Sequence, residues 1–213
     1  MKKFLSIVVA VAMFAFPAFA AEEVLVGEIS TSTGDFAAYG FAEVESVKIA
    51  LEEINAAGGV KVGDAMLPMR VIQYDCRTRN EDMVNAARRL VNQDKVVAVI
   101  GPSGSGLCIS AAAVFNRGHV PHLGTLPTNP MVTMDERGKV RPYNFRICFL
   151  DPYQGAILAT FAVKNLNLMK AAVLYDVSSD YSQGLREFFV NEYGKMGGQV
   201  VADEGHRGED VDF

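Results

Sequence analysis

The residues that could do chemistry sit in three turns, each following an apolar run. The first is Gly101-Pro102-Ser103-Gly104-Ser105-Gly106. Small residues at a strand-to-helix turn let a ligand approach the backbone. The free N–H groups of a helix start, with the helix dipole behind them, favour an anion there. Ser105 adds a hydroxyl donor, so a carboxylate fits this seat without a lysine. The loop lacks the Gly-Lys-Ser/Thr ending of a P-loop, and Ile109 stands where a dinucleotide fingerprint needs its third glycine. The same residues also suit an ordinary turn in which Ser103 or Ser105 caps the helix.

The second turn is Gly124-Thr125-Leu126-Pro127-Thr128-Asn129-Pro130, which its prolines hold extended and irregular. Its backbone carbonyls and Thr128 can receive an ammonium group. The third runs from Asp176 to Gly184 and places Tyr181 between a polar turn and a helix. No catalytic centre emerges: there is no nucleophile elbow, no paired-acid signature and no C-x-x-C. His119 and His122 are three apart in an expected strand, where they would face opposite sides, a poor spacing for joint metal ligation. Neither a metal nor any other cofactor is expected.

The elements that must position these turns alternate. Val24 to Ile29 reads as a strand, and Val44, Val47, Leu51 and Ile54 mark one face of a helix that Gly58-Gly59 ends. Leu67 to Asp75 reads as a second strand. Thr78 with Glu81 suggests a capping box for a helix carrying Val84, Ala87, Leu90 and Val91. Lys95 to Gly101 is a β-branched run suited to a strand buried on both faces, followed by an alanine-rich helix and a short strand from Val120 to Leu123. This β-α-β-α-β-α-β order predicts an open, doubly wound parallel sheet, in which ligands bind at the carboxyl ends of the strands. All three turns follow strands.

A second unit is expected from about Tyr143. It comprises a strand to Phe149, a helix from Tyr153 to Leu166, a strand from Lys170 to Asp176, a helix from Ser182 to Met196 and a strand from Gln199 to Asp203. No helix follows to cover the last strand, so the expectation is a sequence truncated inside an incomplete second α/β lobe.

The first residues carry an address. Lys2 and Lys3 precede the uncharged run Phe4 to Phe16, and Ala18-Phe19-Ala20 is a small-x-small cleavage site. That order is a secretory signal peptide, the alternative being an N-terminal membrane anchor. The organisation is therefore a signal peptide over residues 1–20, a first lobe over 21–140 and a partial second lobe over 141–213. The chain has a net charge of −5, more negative once Lys2 and Lys3 leave, which argues against nucleic acid and anionic membrane surfaces. Three cysteines in an oxidising compartment suggest one disulfide and one free thiol.

Several separated motifs, in order, resemble the leucine/isoleucine/valine-binding family of type I periplasmic binding proteins. They are Gly34 to Gly40, Ile54 to Val60, Val99-Ile100-Gly101, Thr125 to Pro130, Arg146 with Asp151, and Tyr175-Asp176 through Tyr181 to Gly184. The resemblance implies two α/β lobes that close on a small amino-acid-like ligand in the periplasm and deliver it to the membrane permease of an ABC importer. It implies that Ser105 and Thr128 hold the ligand α-carboxylate, and that the Leu126 carbonyl and Thr128 accept from the α-amino group. Tyr39, Ser103, Gly104 and Pro127 would line the first-lobe wall, and Tyr181 would reach in from the second. In such a fold the loops after the second and third strands lie side by side, which suggests a Cys76–Cys108 disulfide. A ligand-sensing domain acting with a receptor or regulator is the alternative role of the same fold.

Overall fold

The computed structural model describes residues 22–208 and 210–211. The expected signal peptide lies outside the described residues. Five strands form one parallel sheet in the order β4-β1-β5-β6-β7. They are β1 (Val24–Ser30), β4 (Met69–Asp75), β5 (Ala98–Ile100), β6 (His122–Gly124) and β7 (Asn144–Arg146). The interior strand β1 ends in five consecutive buried residues, as a strand covered on both faces requires. Helices α1 (Ala37–Ala56), α2 (Asn80–Arg89) and α3 (Ser105–Gly118) make the crossovers. The core joins α2 and α3 to the sheet through Ile29, Met83, Leu90, Val99, Leu107 and Phe115. Residues of the α1 apolar face, Val44, Val47, Leu51 and Ile54, are only half-buried.

The second unit is a two-stranded parallel sheet of β8 (Lys170–Asp176) and β9 (Gln199–His206), with α4 (Asp151–Thr160) and α5 (Asp180–Lys195). Tyr193, fully buried, stacks on Phe189 and donates its hydroxyl to the Leu168 carbonyl at 2.9 Å. Leu174 and Val201 remain exposed on this sheet.

Four local expectations need correction. The segment at residue 144 pairs in parallel with β6, His122 opposite Asn144, so it closes the first sheet instead of opening the second unit. A hairpin of β2 (Val60–Val62) and β3 (Ala65–Leu67) fills what reads as a loop and the start of a strand. The capping box does not form: Arg79 is the N-cap of α2. Thr78 accepts the Phe36 N–H and donates to the Thr33 carbonyl instead, holding the turn after β1. Finally, all three cysteines are free, so the Cys76–Cys108 disulfide is absent. The Cys108 thiol points to the Pro102 carbonyl at 3.4 Å, and Cys76 is packed into the core.

Candidate functional site

Three loops converge at the carboxyl ends of β5, β6 and β8. The loop after β5 is built around two glycines. Gly101 has φ +79° and lies so close to β1 that a Cβ would sit 2.5 Å from the Ile29 carbonyl oxygen. Gly104 has φ +106° and is the N-cap of α3, with no side chain capping the helix. Glycine is the residue that meets both conditions without strain. From below, the fully buried His122 stacks on Phe115 and donates Nε2–H to the Gly101 carbonyl at 2.7 Å. Burial lowers its pKa, against the pull of its hydrogen bonds. Both ring nitrogens of this histidine are engaged inside the protein, with the Gly101 carbonyl and the Asn144 side chain. Among the described residues no group of three or more His, Cys, Asp or Glu is placed to hold a metal.

Ser105 opens α3 instead of capping it. Its buried Oγ accepts the Asn129 N–H at 3.2 Å, which fastens the helix start to the loop after β6. That loop is clamped from behind by Arg146. One guanidinium nitrogen donates to the carbonyls of Pro127 (3.0 Å) and Asn129 (2.7 Å), and the other to the Pro130 carbonyl (3.3 Å) and Thr133 Oγ1 (2.6 Å). Thr128 is buried, and its carbonyl accepts the Asp151 N–H at 3.0 Å. Thr128 Oγ1 and both Asp151 carboxylate oxygens are buried, and apart from the approach of the Thr128 hydroxyl to the Asp151 carboxylate none of them has a hydrogen-bond partner among the described residues. Burial raises the Asp151 carboxyl above its ordinary value, while the nearby Thr128 hydroxyl and Arg146 pull it down. Unsatisfied buried groups of this kind cost stability unless something else meets them.

The second unit reaches the same place. Asn129 Nδ2 donates to the Asp180 carbonyl at the start of α5, at 2.9 Å. The Asp180 carboxylate lies against Gly106, so close that a Cβ there would be 2.6 Å from Oδ2. Tyr181, 38% exposed, accepts from Gln154 Nε2 at 3.1 Å.

Of the residues read from the sequence, Ser105 and Thr128 are thus brought to one point with the start of α5. Pro127 is buried beside them and Gly104 gives α3 its start. Ser103 is buried and turns its hydroxyl toward α1, where Glu43 Oε1 accepts it at 2.5 Å. Tyr39 (56% exposed) and Leu126 line the rim of a neighbouring cavity of about 450 Å³ between α1 and the sheet. Sequence reasoning missed Glu43, Glu28 and Asn129. Glu43 has a visible signal: it lies one helical turn after Tyr39 and four residues before Val47, an acid on an otherwise apolar face.

A parallel sheet whose loops gather at one strand end, with a second α/β unit closing over them, is the architecture of type I periplasmic binding proteins. Residues 23–213 match the periplasmic binding protein family, and the chain belongs to that family. It is 32% identical, over 191 residues, to an amino acid binding protein of Pseudomonas aeruginosa, covering 90% of this chain and 49% of the relative. Among solved structures, it is similar to the leucine binding protein LivK of Thermotoga maritima (35% identity, TM-score 0.77), covering 89% of this chain and 51% of that one. It is also similar to the branched-chain amino acid transporter substrate binding protein LivJ of Streptococcus pneumoniae, solved with isoleucine (32% identity, TM-score 0.79). There 90% of this chain and 52% of that one are covered. The chain spans about half the length of these relatives.

Proposed function

We propose that this chain is the ligand-holding part of a solute-binding protein of an ABC importer. It takes a branched-chain amino acid, or a similar small amino-acid-like ligand, between two lobes in the periplasm. It performs no chemistry and needs no cofactor; its second partner is the membrane permease. The five-stranded sheet and the β8–β9 sheet belong to the two lobes, with the join falling after β7 rather than at residue 140.

In this reading Ser105 and Thr128 hold the ligand α-carboxylate, with Thr128 and the Leu126 carbonyl near the α-amino group. Tyr39, Ser103, Gly104 and Pro127 form the first-lobe wall, and Tyr181 approaches from the other side. The observation that carries it is Thr128: a buried hydroxyl whose one neighbouring polar group is the Asp151 carboxylate, beside the helix start at Ser105 and under the first turn of α5. A hydroxyl in that position gains a bond when a ligand arrives. The relatives named for amino-acid binding support the choice of ligand class.

The test is isothermal titration of the full-length protein, expressed from its complete reading frame, against amino acids, sugars and nucleosides. Saturable binding confined to amino acids is the expected result. Binding of only a sugar or a nucleoside refutes the assignment.

A further inference from the structure

The wall between Ser103 and the cavity under α1 can be read proton by proton. Ser103 Oγ donates to Glu43 Oε1 at 2.5 Å, and Thr125 Oγ1 donates to the same oxygen. A hydroxyl has one proton to give, and a carboxylate only accepts. Both hydroxyls therefore commit their protons to Glu43 and offer only lone pairs elsewhere. Glu43 Oε2 is buried and has no partner among the described residues.

A second acid faces the same cavity from the sheet. Glu28 on β1 is 3% exposed, and its Oε1 has no partner among the described residues. Lys48, whose charge acts on Glu28, is exposed and paired with Glu45 at 2.5 Å. The rest of the lining is mostly aliphatic, with Val26, Val47, Leu51, Val71 and Ile100 beside Met69, Ser46 and the Tyr39 ring. Burial and the charge of Glu43 push the Glu28 carboxyl up to about 7, the response of an acid that lacks a cation. Apolar sides, a floor of acceptors and two carboxylates with free oxygens match one ligand chemistry. That chemistry is an aliphatic stem ending in an ammonium group.

We infer that the Glu43–Ser103–Thr125 cluster, with Glu28 behind it, is a specificity subsite for a positively charged donor at the far end of the bound amino acid's side chain. The inference rests on the proposed seating of the α-carboxylate at Ser105 and Thr128. It narrows the ligand from aliphatic amino acids to diamino acids.

Ornithine and norleucine have nearly the same shape and exchange an ammonium for a methyl group. Diaminobutyrate and norvaline form a second such pair, one carbon shorter, and lysine and 2-aminoheptanoate a third, one carbon longer. Titration calorimetry of the full-length protein with all six is the test. At least one diamino acid is expected to bind ten or more times tighter than its methyl counterpart, and Glu43→Gln to bring that pair level. Methyl counterparts that bind as tightly as the diamino acids overturn this inference and leave the amino-acid assignment standing. The same holds if the preference survives Glu43→Gln in a variant whose circular dichroism and melting match the parent. Binding of none of the six, nor of any other amino acid, overturns both.

Discussion

Replacing Glu28 by glutamine keeps the shape of the side chain and removes its charge, so the variant isolates what the buried acid does to the fold. Burial, with the nearby Glu43 charge, raises the Glu28 carboxyl from 4.5 to about 7. The sign follows from proton counting. Between these two values the native state holds a proton that the unfolded chain releases, so stability falls as pH rises across the window. At roughly 1.4 kcal/mol per pH unit, the displacement corresponds to about 3 kcal/mol. The penalty is absent near pH 4 and complete near pH 8. Other groups titrate in the same range, but equally in both proteins, so the difference between parent and variant isolates Glu28. Urea unfolding followed by circular dichroism, at several pH values between 4 and 8, measures it. Relative to the parent, Glu28→Gln should become more stable by about 3 kcal/mol between the ends of that range. A parent-to-variant difference that does not change with pH refutes the reasoning, because the acid would then be solvated or paired.

Three further outcomes follow from the supports of the site. Gly101→Ala forces a side chain into the left-handed region and against the Ile29 carbonyl, and should lower unfolding stability by about 2–4 kcal/mol in denaturant titrations. Arg146→Met frees three carbonyls and a hydroxyl behind the Thr128 loop; a loss of about 3 kcal/mol is expected, and an unchanged urea midpoint counts against the clamp. Thiol titration of unreduced, denatured protein should find three free thiols, whereas one would restore the Cys76–Cys108 bridge. In the native state the buried Cys76 thiol, pushed up to about 11, and Cys108, raised further by complete burial, should react slowly with thiol reagents.

The parallel order of the first sheet was legible because its strands are apolar runs between helix-period segments. Val24 to Ser30 and Lys170 to Asp176 needed no tertiary information. The three-residue strands gave weaker signals. Val60–Val62 and Ala65–Leu67 are too short to show alternation, and Asn144–Arg146 takes its place through pairing with β6, not through its own pattern. Thr78 reads as a cap because its spacing to Glu81 is right. Its φ of +56° instead turns the hydroxyl toward the Phe36 backbone across the sheet end.

At the site, the glycines and hydroxyls of 101–106 and 124–130 stood out because turn chemistry is local. What Ser103 bonds to was not legible, since Glu43 lies sixty residues away and only packing of α1 brings it near. Glu28 was passed over inside an apolar strand, because nothing local says that it faces a cavity and not a partner.

The central claim is that Thr128 and Ser105 hold an amino acid, and Thr128→Val tests it most directly. Valine keeps the branched shape and deletes a hydroxyl whose one neighbouring polar group among the described residues is the Asp151 carboxylate. Calorimetric titration of the tightest-binding amino acid into parent and variant, with the melting temperature of each ligand-free protein, is the measurement. The account predicts a loss of at least about tenfold in affinity, the worth of one hydrogen bond to a charged group, with the ligand-free protein still melting cooperatively. Equal affinity in the two proteins would contradict it.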